Sequence, residues 1–206
     1  MKVVMAADGC STEVPGVAAF DFDRTLIDGD SFVPFLRSVV GKRALAAAVV
    51  RSTPALALGA KRDLMKAALI DRLLRGYPYA ELHAHGEAFA DQLSARLRPS
   101  MAERLAWHRD CGHRLALVSA SLDVYLRPLG DRLGFHGILA TSLEVGNDGR
   151  LTGRLNGANV RRAEKAARLR LWLEQELDGA RYELWAYGDS AGDRELLAMA
   201  DHPHRV

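Results

Sequence analysis

A doubly wound α/β sheet with a helical insertion after its first strand is predicted by three features of the sequence. Residues 17–22 form a short apolar run typical of a buried strand, and a long region of helical periodicity follows it. From residue 113 onwards, apolar runs alternate with helical stretches, which is the rhythm of strands joined by crossover helices. Ligands of such sheets bind beyond the carboxyl ends of the strands, so we expect the functional residues there.

The insertion is predicted over about residues 31–110, where apolar residues recur at intervals of three and four. Glycine and proline residues separate its helical segments, as expected at helix ends. The segments are "SFVPFLRSVVGKRALAAAVV", "KRDLMKAALIDRLLRG" and "YAELHAHGEAFADQLSARL".

The second half of the chain begins with "HRLALVSAS", an apolar strand of the kind that a parallel sheet buries on both faces. Helix "LDVYLRPLGDRLG" and strand "GILAT" follow, and an Asn-Asp-Gly turn predicts a hairpin within "LEVGNDGRLTGRL". Helix "RRAEKAARLRLWLEQEL", strand "YELWAYGDS", a short helix and "HPHRV" complete the chain. His202 and His204 would lie on different faces of a helix, so this pair is not predicted to bind metal.

The composition is that of an ordinary globular protein, with 206 residues, 49% hydrophobic residues, 26% charged residues and a net charge of +2. Basic residues are spread along the chain, which gives no indication of nucleic-acid binding. Cys10 and Cys111 match neither a metal-binding spacing nor a disulfide framework, and no signal peptide is evident. These features favour a cytoplasmic protein.

Residues 44–60 are apolar but are interrupted by Arg51 and Pro54, so membrane contact is the less favoured alternative to packing within the insertion.

Small oxygen-bearing side chains follow three of the predicted strands. Because strand side chains alternate with a period of two, the acids at positions 21 and 23 are expected to point to the same side and to repel each other. Such a pair either raises the pKa of one acid or binds a cation. A solvated turn is the alternative for one such pair, but not for three strand ends together. The residues are Asp21 and Asp23, Ser119 and Ser121, and Asp189 and Ser190.

Four short motifs occur in order along nearly the whole chain from residue 17. They are Asp-x-Asp-x-Thr at Asp21, Asp23 and Thr25; a serine closing an apolar strand, Ser119; a lysine at a helix start, Lys165; and Gly-Asp followed by a second acid, Asp189 and Asp193. In this order the motifs resemble the haloacid dehalogenase-like phosphohydrolase superfamily. The resemblance is greatest to subfamily IB, the phosphoserine phosphatase-like branch.

The resemblance implies a Rossmann-like, mostly parallel sheet with a helical cap of the C1 type inserted after the first strand. On this basis residues 16–29 and 108–206 form the α/β core, and residues 30–107 form the cap. Residues 1–15 are expected to be a loose lead-in. A monomer or a homodimer is expected.

The resemblance also implies magnesium-dependent (Mg2+) hydrolysis of a phosphomonoester. Asp21 would attack phosphorus to form an aspartyl-phosphate, and Asp23 would act as general acid and then as general base. The metal ligands would be Asp21, Asp189 and the backbone carbonyl of Asp23, because hard cations prefer oxygen. Asp193 would orient Lys165 or a water molecule bound to the metal.

The remaining motif residues would hold the phosphate. Ser119 and the amides around it, including that of Ala120, would bind phosphate oxygens, and Lys165 would stabilise the transition-state charge. Thr25 would shape the loop around the nucleophile. Capping of a helix by Asp193 and a plain surface position for Lys165 are the alternative interpretations of these two residues.

The substrate follows less directly from the sequence. Asp30 occupies a position that resembles the one where phosphoserine phosphatases carry a glutamate that meets the substrate ammonium group. Candidate substrates are phosphoserine-like, polyol, sugar or histidinol phosphates, and a lipid phosphate of the phosphatidylglycerophosphate type is the alternative. A receiver-like signalling module is less favoured, because such modules lack an insertion of this length.

Overall fold

The computed structural model describes residues 14–57 and 62–206 as an α/β fold built on a six-stranded sheet. The strands are β1 (Gly16–Phe20), β2 (Arg114–Leu122), β3 (Gly137–Val145), β4 (Leu151–Asn156), β5 (Glu183–Gly188) and β6 (His202–Arg205). The helices are α1 (Phe32–Ala57), α2 (Arg62–Leu74), α3 (Tyr79–Ser94), α4 (Pro99–Asp110), α5 (Asp123–Arg132), α6 (Ala163–Leu177) and α7 (Arg194–Ala198).

The sheet has the strand order β4-β3-β2-β1-β5-β6. Its strand pairs are parallel except for β3 with β4, which form the predicted antiparallel hairpin. β1 lies between β2 and β5, so the chain order reverses direction across the sheet at β1. The prediction of a doubly wound, mostly parallel sheet is therefore confirmed, and its central crevice lies at the end of β1.

Both faces of the central strands are buried. Ala18 and Phe20 of β1 pack with the larger apolar cluster, which also contains side chains of α1–α5. Val17 and Ala19 face the opposite side and pack with residues of α6, such as Leu169. All four β1 side chains are fully buried, as expected for a strand covered by helices on both faces.

The predicted elements differ from the structure in three places. β1 ends at Phe20 because the following backbone turns, with the amides of Thr25 and Leu26 donating to the Phe22 carbonyl oxygen. The "GILAT" run continues into the hairpin as the single strand β3, which pairs with β2 and then with β4. The terminal "HPHRV" segment contains β6, so His202 and His204 lie on one face of a strand, contrary to the helical assumption.

The insertion contains α1–α4, which lie between β1 and β2 in the chain. α1 is kinked at Gly41, whose φ of 80° and ψ of 162° are not helical. The predicted cap boundary at residue 107 falls inside α4, which is one continuous helix from Pro99 to Asp110. A bridge between Pro78 and Arg150 connects the insertion to the hairpin of the core.

Several sequence predictions fall partly outside the described residues. These are the lead-in up to residue 13 and the end of the apolar stretch at residues 58–60. Among the described residues, no helix combines the length and the apolar character that crossing a membrane requires.

Cys111 is disulfide-bonded, contrary to the expectation of no disulfide, and Cys10 lies outside the described residues. The cysteines therefore no longer favour the predicted cytoplasmic location.

Stacked rings cross the face of β1, β5 and β6 because these parallel strands are in register. Tyr187 stacks on Phe20 at 4.5 Å and on His204 at 4.8 Å. His108 of α4 lies beneath this layer, where its Nε2 is 2.8 Å from the Tyr187 hydroxyl and its Nδ1 is 2.7 Å from Nδ1 of His113. Burial, with a smaller contribution from His113, lowers the pKa of His108 to about 3.

We predict that His108 makes the fold sensitive to acid. Its folded-state pKa lies below the ordinary value of 6.5, so the unfolded chain binds the proton first, and the stability is lost as the pH falls from about 6.5 towards 3. His108→Gln keeps a donor and an acceptor but removes this titration. Between pH 7 and pH 5, urea unfolding should show a loss of stability about 2 kcal/mol greater for the wild type than for this variant.

The exposed His83 of α3 provides the matched control, His83→Gln, which should retain the wild-type pH dependence. Identical pH dependence of the wild type and His108→Gln would contradict the assignment of the acid sensitivity to His108.

Candidate functional site

The carboxyl ends of three neighbouring strands bring the predicted acids together. Asp21 directly follows β1, Ser119 lies near the end of β2, and Asp189 directly follows β5. Lys165 lies in the first turn of α6, and Asp193 directly precedes α7; both side chains reach these strand ends. The parallel topology thus collects residues that are up to 172 positions apart in the chain.

Lys165 lies buried between two carboxylates. Its ammonium group donates to Oδ1 of Asp21 and, at 2.6 Å, to Oδ1 of Asp193. Burial opposes the charge on Lys165, but the two carboxylates outweigh it and raise the pKa of this residue. Because the side chain is 3% exposed and paired twice, the alternative of a plain surface lysine is wrong.

The two carboxylates that share Lys165 have pKa values shifted in opposite directions. Burial raises the pKa of Asp21 above its ordinary value, against the attraction of Lys165. For Asp193, burial is outweighed by Lys165, which lowers its pKa. One ammonium group carries a single positive charge and faces two carboxylates, so a further cation would balance the remaining negative charge.

Backbone and hydroxyl groups complete the surroundings of Asp21 and Asp193. Thr25 donates from Oγ1 to Oδ2 of Asp21 at 2.9 Å, so the nucleophile candidate is held at both oxygens. Oδ2 of Asp193 accepts from the amide and the hydroxyl of Ser190. A Cβ at Gly188 would lie 2.6 Å from Cβ of Asp193, so only glycine allows this approach.

Asp23 is the end of a buried hydrogen-bond chain. Its Oδ1 accepts from the Ser31 amide at 2.8 Å, and its Oδ2 accepts from the Ser121 hydroxyl at 2.5 Å. The Ser31 hydroxyl in turn contacts those of Ser121 and Tyr125, each at 3.0 Å. Burial raises the pKa of Asp23 to about 6, although both serine hydrogen bonds lower it. A carboxyl group with this pKa can both donate and accept a proton near neutral pH.

A cavity of about 310 Å³ opens between the strand ends and the insertion. Of the predicted site residues, only Thr25 is absent from its lining, because Thr25 lies fully buried behind Asp21. The predicted residues that line the cavity are Asp21, Asp23, Asp30, Ser119, Ala120, Lys165, Asp189 and Asp193.

Asp30 has a structural contact that the sequence did not indicate. Its Oδ1 accepts from the amides of Phe32 and Val33, at 3.0 and 3.4 Å, in the first turn of α1. Helix capping is the usual task of an aspartate at such a position. Asp30 also lines the cavity, so a role towards the substrate stays a prediction.

The sequence analysis missed several residues of the cavity and its supports. Ser121 was noted at a strand end but not assigned to the site, although its spacing of two from Ser119 was the available signal. Contacts across the insertion left no local signal. The missed residues are Ser31, Asp63, Tyr125 and Asn159.

The acidic cluster fits a divalent metal ion. Asp21, Asp189 and Asp193 each offer a carboxylate oxygen, and these oxygens lie within 4.8 Å of one another. Oxygen ligands with net negative charge suit Mg²⁺. Asp21 and Asp193 both pair with Lys165 as well, whereas Asp189 has no such contact with this lysine among the described residues.

Comparisons with known proteins identify the family. The family model "haloacid dehalogenase-like hydrolase" matches residues 18–198. Protein CicA of Caulobacter vibrioides is 38% identical over 91% of this chain and 84% of its own. A histidinol-phosphatase of Neisseria meningitidis is 28% identical, covering 92% and 89%. Phosphoserine phosphatase SerB1 of Mycobacterium tuberculosis is 30% identical, covering 97% and 68%.

Solved structures show the same fold. A protein of unknown function from Bordetella pertussis superposes with a TM-score of 0.75 at 28% identity, covering 90% of this chain and 86% of that one. A probable phosphoserine phosphatase from Vibrio cholerae superposes with a TM-score of 0.64 at 21% identity, covering 92% and 56%. The resemblance stated from the four motifs, and with it the prediction of a hydrolase, is confirmed: the chain belongs to the haloacid dehalogenase-like hydrolase family.

Proposed function

We propose that the protein hydrolyses phosphomonoesters of small metabolites through a phosphoryl intermediate on Asp21. One observation carries the proposal: Asp21 directly follows the central strand and lines a cavity that a buried lysine and five further acids also line. The names of relatives, histidinol-phosphatase and phosphoserine phosphatase, support the reaction class.

Asp21 is the proposed nucleophile. Its carboxylate forms a bond to phosphorus while the bond from phosphorus to the ester oxygen breaks, which leaves an aspartyl-phosphate and an alkoxide. Thr25 and Lys165 hold the carboxylate in one orientation. Such fixed geometry favours attack, because the reacting groups need no further ordering.

Asp23 is the proposed proton donor and acceptor. Its protonated form donates to the leaving alkoxide and completes the alcohol product. Its carboxylate then takes a proton from water as the water oxygen attacks phosphorus and the bond to Asp21 breaks. Inorganic phosphate leaves, and both acids return to their starting states. Ser31 and Ser121 support this role because their hydrogen bonds fix the Asp23 side chain.

The groups proposed to bind phosphate line the same cavity as Asp21. The hydroxyl of Ser119 and nearby amides offer donors to phosphate oxygens, and Lys165 supplies a positive charge. The metal candidates Asp21 and Asp189, with the Asp23 carbonyl and Asp193 nearby, would hold Mg²⁺. When bound, this ion would reduce the repulsion between the nucleophile and the phosphate dianion.

The size of the cavity favours a small substrate. A volume of about 310 Å³ is at the lower end for small-molecule sites. Beyond the motif residues, its walls combine apolar side chains, such as Phe32 and Met65, with the acid Asp63. A panel of histidinol phosphate, phosphoserine, polyol and sugar phosphates and a lysolipid phosphate tests this choice. Turnover of the lysolipid phosphate alone would overturn it.

Removal of the nucleophile should abolish activity. We predict that Asp21→Asn lowers hydrolysis of para-nitrophenyl phosphate at least about a thousandfold, because an amide cannot attack phosphorus. EDTA should have a comparable effect on the wild type, and Mg²⁺ should restore its activity. The matched control is Asp28→Asn, an exposed acid of the same loop, which should retain wild-type rates. Equal rates for Asp21→Asn and the wild type would exclude the proposed mechanism.

The support of Asp23 by Ser121 can be tested with two leaving groups. We predict that Ser121→Ala lowers kcat for an alkyl phosphate roughly tenfold, because the misplaced acid protonates the alkoxide poorly. Nitrophenolate leaves without protonation, so the loss for para-nitrophenyl phosphate should be smaller. Ser94→Ala of α3, which removes a hydroxyl bonded to a helix carbonyl, is the control. Equal losses for both substrates would contradict the role given to Asp23.

A further inference from the structure

Helix α2 is connected to the core by a polar network that the proposed mechanism does not use. Its centre is Asn159, in the loop between β4 and α6. From α2, Asp63 and Lys66 reach this residue, and from β3 the hydroxyl of Thr141 does so. We call Asp63, Lys66, Thr141 and Asn159 the clasp.

The amide of Asn159 meets a different partner at each end. Its Oδ1 accepts from Nζ of Lys66 at 2.7 Å and from Oγ1 of Thr141 at 3.0 Å. Its Nδ2 donates to Oδ1 of Asp63 at 2.7 Å. This arrangement satisfies both ends, because an ammonium group only donates and a carboxylate only accepts. Thr141 also accepts from the amide of Val160, which fixes the loop to β3.

Lys66 extends the clasp to the loop proposed to bind phosphate. Its ammonium group donates to the carbonyl oxygen of Ala120, next to Ser119, and lies 5.5 Å from the ring centre of Phe32. Asp63 is also 3.7 Å from the guanidinium group of Arg161. Three members of the clasp, Asp63, Lys66 and Asn159, line the cavity, so the clasp forms part of its wall.

We propose that Asn159 is a positioning residue that holds α2 against the core and fixes Lys66 beside Ala120. The side-chain amide of Asn159 accepts from Lys66 and donates to Asp63, so both residues of α2 are paired with the core. Loss of this pattern would release α2 at its first turn and open the wall of the cavity. This effect on catalysis rests on the proposed function, whereas the effect on α2 does not.

An exchange of donor and acceptor tests the clasp. Asn159→Asp keeps the acceptor for Lys66 but places a carboxylate against Asp63, so like charges repel. The double variant Asn159→Asp/Asp63→Asn has the same net charge as the wild type and restores a donor opposite the new acceptor. Asn156→Asp, at the end of β4 and outside the clasp, is the matched control.

Amide hydrogen exchange of residues 62–74 gives a readout that needs no activity. We expect roughly tenfold faster exchange in Asn159→Asp and wild-type exchange in the double variant and in Asn156→Asp. In parallel, KM for para-nitrophenyl phosphate should rise roughly tenfold in Asn159→Asp, with a smaller change in kcat, and should recover in the double variant.

Unchanged exchange in Asn159→Asp, or a double variant no better than the single one, would overturn the clasp. Exchange that follows the expected pattern in a protein without any phosphatase activity would support the clasp and refute the proposed function. Recovery of exchange without recovery of KM would overturn the positioning role of Asn159 in catalysis.

Discussion

The ammonium group of Lys165, held between Asp21 and Asp193, is the interaction on which the arrangement of the site depends. It connects the end of β1, the first turn of α6 and the start of α7, and all three side chains are largely buried. A buried ion pair of this kind contributes little net stability, but removal of one partner leaves a costly uncompensated charge. The three elements are therefore held in one relative position, with a negative excess that a metal ion can balance.

The sheet makes this interaction possible and limits where it can occur. β1 lies between β2 and β5, so its end is the point where crossover helices depart to opposite faces. The stacked rings of Phe20, Tyr187 and His204 fix the neighbouring strands on one face, and α6 covers the other. Packing on both faces thus holds Asp21 and Asp189 close together, although each is a single residue beyond its strand.

Much of the core and of the motif residues could be predicted from the sequence, because both follow from local patterns. Strand periodicity and the polar residues at strand ends placed Asp21 and Asp189 without any knowledge of contacts. The clasp could not be predicted in this way, since Asp63 and Asn159 are 96 residues apart and meet only through packing of the insertion. Likewise, β6 lacks an apolar pattern, and its pairing with β5 depends on the edge that the sheet leaves open.

The central claim is that the phosphoryl group is transferred to Asp21, and chemical trapping of the aspartyl-phosphate tests this claim most directly. In Asp23→Asn the proposed base is absent, so the intermediate formed from para-nitrophenyl phosphate should accumulate. Rapid acid quench, borohydride reduction and peptide mass spectrometry should then find homoserine at position 21, the reduction product of an acyl phosphate. An unmodified aspartate at position 21, with the phosphoryl group on Ser119 instead, would contradict the account.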